Sequence, residues 1–262
     1  MGAQEVFRTE SLSVRYGGLV ALDAVSITVR PGELAGLIGP NGAGKTTFID
    51  AVTGFTPTTG RVLLGERELQ RLPAHKRVSS GISRTFQSLE LFEDLSIREN
   101  VLVSTEESSW LAPLREFVVP RRGDKVRKVR EVLELVGLDG VEDAYPPDLS
   151  LAERKLVCVA RALATDPSLL LLDEPAAGLD SDASLELGAQ LRKVADSGVS
   201  ILLVDHDMDL VLEFCESLSV LNFGKLIATG PTAEVRNDEA VLTAYLGADD
   251  ADDDLIALEV GL

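Results

Sequence analysis

Residues 39–47 constrain this chain more than any other stretch, because they read Gly-Pro-Asn-Gly-Ala-Gly-Lys-Thr-Thr. The apolar run 33–38 before them predicts a short strand, and residues 47–53 predict the start of a helix. Glycines at three of these positions permit a tight turn that directs backbone N–H groups inward. A strand, such a turn with a Lys-Thr pair, and a helix are together typical of a phosphate-binding loop, or P-loop.

The P-loop predicts a site for nucleotide phosphates and Mg²⁺. Its amides and the positive end of the following helix attract phosphate oxygens. Lys45 is predicted to reach the β- and γ-phosphates, and the Thr46 hydroxyl is predicted to bind Mg²⁺. The predicted nucleotide-binding residues of the loop are Gly39, Pro40, Asn41, Gly42, Ala43, Gly44, Lys45, Thr46 and Thr47.

A second motif places two carboxylates after the run Leu169–Leu172. An unbroken apolar run of this kind predicts a strand buried on both faces, with Asp173 and Glu174 at its exit. Asp173 is predicted to hold Mg²⁺ through water, and Glu174 to polarise the attacking water. A P-loop alone fits kinases, GTPases and many ATPases, and this second motif decides for an ATPase.

Charge and hydropathy exclude other classes of function. The chain has 25 basic and 43 acidic side chains, a formal net charge of −18. Non-specific nucleic-acid binding depends on positive charge, so we expect no nucleic-acid partner. No apolar run reaches the roughly 18 residues that would span a bilayer, and residues 1–6 lack the pattern of a signal peptide. We expect Cys158 and Cys215 to be reduced thiols.

The order of the patterns predicts an α/β fold in one domain, 1–247. We expect a nucleotide-binding core over about 1–87 and 156–247, with a mainly parallel sheet flanked by helices and an N-terminal antiparallel β part. Helical patterns over about 88–155 predict an inserted α-helical subdomain. Residues 248–262 carry five aspartates and predict a solvated acidic tail.

Local patterns predict individual elements within this plan. Strands are expected over 5–16 and 24–29, with a turn at Gly17-Gly18. Ser96 followed by Glu99 predicts a capping box at a helix start.

In this order the motifs resemble the ATP-binding-cassette (ABC) ATPases over nearly the whole chain. The matching features are Tyr16, the P-loop, Gln87, residues 149–154, Asp173-Glu174, Asp180 and His206. The resemblance implies that Tyr16 stacks on adenine and that Gln87 reaches Mg²⁺ or the attacking water and senses the transporter. It also implies that Asp180 acts in a loop communicating across a dimer and that His206 contacts the γ-phosphate.

The signature segment, Leu149-Ser150-Leu151-Ala152-Glu153-Arg154, departs from the family pattern Leu-Ser-Gly-Gly-Gln. In the family its serine and glycines contact the ATP bound to the partner subunit. Ser150 and the helix start are retained, but Leu151 and Ala152 replace both glycines. Because non-glycine residues take positive φ only at a cost, we expect weaker ATP sandwiching.

Smaller similarities point to a subgroup. Residues 83–87, 91–100, 220–225 and 244–247 resemble ATPase subunits of bacterial importers for branched-chain and related hydrophobic amino acids or urea. The alternatives are a lipopolysaccharide-export ATPase, a soluble ABC protein of translation or DNA repair, and a regulatory subunit that hardly hydrolyses ATP.

The resemblance also implies partners and a location. We expect a homo- or heterodimer with a second ATPase subunit, at the cytoplasmic face of the membrane through permease subunits. Apolar residues between Gln87 and Asn100 predict a groove for a short permease helix. The transported substrate is not expected to touch this chain.

Overall fold

The computed structural model describes residues 5–85, 90–105 and 122–246. Its strands are β1 (Phe7–Tyr16), β2 (Leu19–Val25), β3 (Thr28–Val29), β4 (Leu34–Ile38), β5 (Thr59–Leu64), β6 (Arg67–Glu68), β7 (Ile82–Arg84), β8 (Leu169–Asp173), β9 (Ser200–Val204), β10 (Ser217–Asn222) and β11 (Lys225–Pro231). Its helices are α1 (Lys45–Thr53), α2 (Ala74–Val78), α3 (Ile97–Ser104), α4 (Arg122–Leu135), α5 (Leu151–Leu163), α6 (Ser181–Asp196), α7 (Met208–Phe214), α8 (Thr232–Val235) and α9 (Glu239–Leu246), with a 3₁₀ turn at Pro146–Asp148. No helix within these ranges is both long enough and apolar enough to cross a bilayer.

The described strands form two sheets, as the predicted fold class requires. One is antiparallel, with the order β2-β1-β5-β6 and β3 paired to β1. The other has the order β11-β10-β4-β9-β8-β7, in which β10, β4, β9, β8 and β7 run parallel. The β11 strand returns antiparallel beside β10.

The first hairpin corrects the predicted position of the second strand. That strand was expected over 24–29, whereas β2 begins at Leu19 and pairs it with Tyr16 across Gly17-Gly18. Gly17 has a φ of 59°, which a two-residue hairpin turn demands and glycine adopts easily. Ala24, near the end of β2, has a φ of 53°. The last residues of the predicted strand form the separate strand β3.

The parallel sheet is covered on both faces, as the run of leucines predicts. Leu170 and Leu172 of β8 belong to one buried cluster with residues of α3, α4, α5 and α6. Leu169 and Leu171, pointing the other way, belong to a second cluster with β1, β2, β5 and α1. Alternate residues of β8 therefore pack into the two buried clusters, one on each face of the sheet.

The predicted helical region supplies α3, α4 and the start of α5. The Ser96–Glu99 capping box forms, with Ser96 N and Oγ donating to Glu99 and Glu99 N donating to Ser96 Oγ. Helix α5 runs without interruption through the boundary expected at 155–156. The division into core and subdomain stays a prediction.

A buried arginine closes the far end of the P-loop helix α1. The Arg77 guanidinium donates to the carbonyls of Ala51 and Val52 at 2.8 and 2.7 Å, and to those of Gln70 and Leu72. These bonds satisfy carbonyls that a helix end leaves open and complement its negative end. Burial lowers the pKa of Arg77. The Arg77 charge therefore stabilises the carboxyl end of α1, the helix whose amino end follows the P-loop.

Candidate functional site

Three groups of predicted site residues lie at the carboxyl edge of the parallel sheet. The P-loop follows β4, His206 follows β9, and Asp173-Glu174 end β8. These three strands are neighbours in the sheet. Parallel strands bring their carboxyl ends to one edge, where ligands of open α/β sheets bind.

The three glycines of the P-loop all have positive φ, with 148° at Gly39, 77° at Gly42 and 106° at Gly44. At Gly39 a side chain is also sterically excluded, because a Cβ there would lie 2.1 Å from the Leu221 carbonyl oxygen. The loop can therefore curl against β10 only with glycine at this position.

Lys45 and Thr46 open α1 directly after the loop. The Lys45 ammonium donates to the carbonyls of Gly39 at 2.5 Å and Pro40 at 3.2 Å, so it lies over its own loop. Gly44 is the N-cap and contributes no side chain, and the first turn of α1 contains no acidic residue. The positive end of the helix and the lysine therefore face the same concave loop, a suitable arrangement for an anion.

Asp173 has the properties of a ligand for a hard cation. Its side chain is 2% exposed, and Oδ2 accepts a 2.8 Å bond from Arg84. Oδ1 is buried and has no hydrogen-bond partner among the described residues. Burial raises the pKa of this carboxyl, and the Arg84 bond opposes that rise. A buried carboxylate oxygen without a donor fits Mg²⁺, which binds through one or two carboxylates and water.

Glu174 occupies a strained backbone position. Its φ is 51°, a left-handed conformation that costs a non-glycine residue about 1–3 kcal/mol. Its N–H donates to the Val204 carbonyl at 2.7 Å, so β9 holds the strained residue. Such strain is concentrated at functional sites, where the surrounding structure maintains it.

His206 lies beside an aspartate that sequence reasoning did not single out. Asp205 is 1% exposed and accepts from the backbone N–H groups of His206, Asp207 and Ala176, at 2.8, 3.1 and 2.9 Å. Burial raises the pKa of Asp205, and the bonds from these amides oppose the rise. The histidine itself is exposed. Asp205 thus joins the segment after Glu174 to the segment that carries His206.

Tyr16 and Asp180 have local partners in this chain. Tyr16 ends β1 with 48% of its surface exposed, and its hydroxyl pairs with Thr56 Oγ1 at 3.0 Å. Asp180 caps α6 by accepting from Ala183 N–H at 2.9 Å. The ring of Tyr16 retains free surface for stacking, whereas the Asp180 carboxylate has a helix-capping function irrespective of any partner subunit.

The structure corrects the backbone argument about the signature segment. Ser150 is the N-cap of α5, and Leu151 and Ala152 form its first turn. Neither residue is among those with positive φ, because helix geometry requires negative values there. Leu151 instead approaches the site where a Cβ on Gly178 would lie, at 3.5 Å. Backbone strain therefore gives no reason to expect weaker sandwiching.

Glu153 changes the signature segment in another way. Its carboxylate accepts from Ser150 N at 2.8 Å and from Ser150 Oγ at 2.7 Å. The serine hydroxyl is thus already engaged, and a negative charge lies over the start of α5. The family pattern has a neutral glutamine at this position.

Gln87 lies outside the described residues, so its predicted contact with Mg²⁺ or water stays a prediction. Sequence reasoning also missed Arg84 and Asp50, although Arg84 stands only three positions before Gln87. A charged residue at the end of a strand, close before a motif residue, is the signal that could have identified Arg84.

Two family models match the chain. One, described as ABC transporter, covers residues 22–177. The other, described as branched-chain amino acid ATP-binding cassette transporter, covers residues 225–251. Together they include the P-loop, the acidic pair and the strand β11.

Curated relatives match over most of their length. A high-affinity branched-chain amino acid transport ATP-binding protein, BraF of Pseudomonas aeruginosa, is 34% identical over 94% of this chain and 99% of its own. LivG of Salmonella typhimurium, with the same description, is 35% identical over the same shares. A lipopolysaccharide export system ATP-binding protein, LptB of Escherichia coli, is 34% identical over 92% of this chain and 96% of its own.

Solved structures agree with these matches. An ATP-binding cassette of an ABC transporter in its ADP conformation superimposes with a TM-score of 0.82 at 31% identity, covering 94% of this chain and 100% of that one. A nucleotide-free cassette gives a TM-score of 0.79 at 30% identity, over 92% and 98% of the two chains.

Proposed function

Because the chain belongs to the ABC transporter family of ATP-binding cassettes, we propose that it is the ATP-binding and hydrolysing subunit of a membrane importer for branched-chain or other hydrophobic amino acids. The observation that carries the importer assignment is the match of residues 225–251 to the branched-chain amino acid model. The nearly full-length similarity to BraF and LivG supports it.

Phosphate charge is compensated by the P-loop in this proposal. The amides of the loop and the Lys45 ammonium bind the β- and γ-phosphates of ATP, and Tyr16 stacks on the adenine. His206 contacts the γ-phosphate from the adjacent strand exit. Phosphoryl transfer depends mainly on such positioning and charge stabilisation.

Thr46, Gln87 and Asp173 would hold Mg²⁺, with Asp173 acting through water. The ion, when bound, neutralises charge on the β- and γ-phosphate oxygens. Glu174 lies one residue beyond Asp173 and orients the attacking water, taking up its proton as general base. The bond from Glu174 N–H to the Val204 carbonyl maintains the strained φ of Glu174 and so keeps its carboxylate at the strand exit.

A second cassette completes the site. Ser150 begins α5 rather than following a strand of the parallel sheet, and its amide and hydroxyl donate to Glu153. We infer that it contacts ATP held by the opposite subunit, in a homo- or heterodimer that closes on two nucleotides. The Glu153 carboxylate must leave Ser150 Oγ for the serine to donate to a phosphate.

The permease contact is proposed near Gln87–Asn100. Of the apolar residues there, Ile97 is buried in the core and Leu91 packs against it. Phe92, in contrast, is 47% exposed, with the Arg161 guanidinium 5.2 Å from its ring centroid. Arg161 also lines a cavity of about 330 Å³ between β7, α3 and α5. An exposed aromatic residue in contact with a side chain that lines a cavity is a suitable anchor for a short helix.

Replacing Phe92 with aspartate is expected to abolish co-purification with the permease subunits while leaving ATP binding intact. The change puts a charge into the proposed contact. The backbone of residue 92 is held by Asn100 and does not depend on the phenylalanine ring. Asn100 accepts from Phe92 N–H and donates to the Phe92 carbonyl, each at 2.9 Å. A pull-down with tagged permease, together with titration of a fluorescent ATP analogue, measures both properties.

The matched control is Phe55→Asp, since Phe55 is 61% exposed on the loop after α1. It should leave assembly unchanged. Assembly of the Phe92→Asp variant at the wild-type level would count against a contact at this position.

Uptake tests the importer assignment directly. The complex of this chain with its permease subunits, in proteoliposomes supplied with a matching binding protein, should accumulate labelled leucine or isoleucine only when ATP is on the cassette side. Glu174→Gln in the same complex should reduce the rate to the background level. ATP hydrolysis without uptake of any hydrophobic amino acid would contradict the importer assignment.

The similarity to LptB keeps an export-type subunit as the second candidate. The location at the cytoplasmic face of the membrane is common to both assignments. Extraction of lipopolysaccharide from vesicles by the same complex would favour export. In either case the cargo would be selected by other chains.

A further inference from the structure

We propose that Arg84 is a positioning residue for the metal site: its guanidinium balances and orients the buried Asp173 carboxylate while no metal is bound, and Asp50 holds the guanidinium in place. The inference rests on the proposed function in one respect, since it takes Asp173 as the metal-holding carboxylate. It adds a resident cation that the chain itself supplies.

The three side chains form a connected set across three elements. Arg84 ends β7, Asp50 lies on the P-loop helix α1, and Asp173 ends β8. One guanidinium nitrogen lies 2.5 Å from Asp50 Oδ1, and the other lies 2.8 Å from Asp173 Oδ2. The Arg84 side chain is 11% exposed, so water screens these pairs only weakly.

The need for a cation follows from the burial of Asp173. A carboxylate removed from water must be paired, because an isolated buried charge is strongly unfavourable. Arg84 is the one side chain that donates a hydrogen bond to Asp173 within the described residues. Its planar fork can also bond two carboxylates at once, which a lysine ammonium does with less directional control.

Only one oxygen of Asp173 is used in this way. Arg84 occupies Oδ2 and leaves Oδ1 buried without a partner in the described part of the chain. Rotation of the carboxylate would exchange the two oxygens, so the bond to Arg84 selects the one that remains available. Asp50 keeps the guanidinium in place, since it holds the other nitrogen from α1.

The same arginine connects the metal site to the end of β7. The next residue, Thr85, is tied to β8 by its N–H, which donates to the Leu171 carbonyl at 3.0 Å. The ion pair and the Thr85 backbone bond thus add to the parallel pairing that positions β7 beside β8. A change at Asp173 is transmitted to β7 through the ion pair.

Thermal unfolding of the full chain in EDTA tests the proposal without nucleotide. Arg84→Met should lower the unfolding temperature by roughly 10 °C, because it leaves the Asp173 charge buried and unpaired. Adding Asp173→Asn to that variant should recover most of the loss, since no uncompensated charge remains. Arg84→Lys should recover part of it, and Asp50→Asn alone should cost less than Arg84→Met.

The metal-dependent arm uses ADP with EDTA and ADP with Mg²⁺. Mg²⁺ should raise the unfolding temperature of Arg84→Met by more than it raises that of wild type, because the ion then supplies the missing countercharge. An arginine that only packs would leave this increment unchanged. If Arg84→Met does not fold, Arg84→Gln, which also lacks the charge, is compared with wild type for the same increment.

The outcomes separate this inference from the proposed function. Equal unfolding temperatures for Arg84→Met and the double variant, or a Mg²⁺ increment no larger than in wild type, would overturn the counter-ion role. Failure of wild type to respond to ADP and Mg²⁺ would instead refute the nucleotide site, while the comparison in EDTA would still stand.

Discussion

Glu174→Gln is expected to reduce ATP turnover by about 10²–10⁴-fold while ATP stays bound, because the change removes the proposed general base and keeps its shape. Glutamine is the right substitution at this position for a structural reason. The φ of 51° is held by the N–H bond to Val204, and an isosteric side chain leaves that backbone unchanged. Release of phosphate under saturating ATP measures the loss.

A trapped dimer is the second expected result for this variant. Two chains that close on two ATP molecules and cannot hydrolyse them should remain associated. Light scattering should then give about twice the 28.1 kDa mass of the chain with ATP, and the single mass without it. Wild-type turnover in Glu174→Gln would reject Glu174 as the base.

Glu186→Gln is the matched control. Glu186 is an exposed carboxylate on α6, and the change removes the same charge from the surface. Turnover of this variant should equal that of wild type.

Lys45→Ala is expected to lower turnover by at least about 10²-fold and to weaken ATP binding. The ammonium faces the concave P-loop from the first turn of α1, over the carbonyls of Gly39 and Pro40. Removal of one preorganised donor from a site that stabilises developing negative charge typically costs about two to three orders of magnitude in rate. A fluorescent ATP analogue measures affinity, and phosphate release measures turnover.

Lys76→Ala separates the role of this lysine from a general charge effect. Lys76 is exposed on α2 and lies at the other end of the P-loop unit. Its replacement should change neither affinity nor rate. If Lys45→Ala behaves in the same way, the assignment of residues 39–47 as a phosphate site fails.

The Glu174→Gln variant also tests the role of Glu153. A carboxylate that caps α5 at Ser150 need not impair nucleotide binding by one subunit, since it lies outside the P-loop. The Glu153 carboxylate would oppose the approach of a phosphate to Ser150 when the dimer closes. An ATP-dependent dimer of Glu174→Gln would therefore show that Glu153 can yield to a phosphate.

Local sequence by itself determined the parts of this protein that depend on short-range chemistry. The P-loop glycines were predictable because only glycine takes their positive φ at little cost. The burial of β8 followed from unbroken leucines, and the Ser96–Glu99 capping box from residue types three positions apart. The approach of the P-loop, Asp173-Glu174 and His206 followed from strand–helix alternation, since parallel strands end at one edge.

Tertiary structure alone decided the features that join distant residues or depend on backbone geometry. The pairing of β2 directly with β1 was not predictable from residue type, since tertiary context selects among allowed conformations. The Arg84 pairs with Asp50 and Asp173 span 34 and 89 residues, and Asp205 reaches Ala176 across 29. No local pattern encodes such contacts. They exist because the folded sheet removes these charges from water, where each must find a partner within hydrogen-bonding distance.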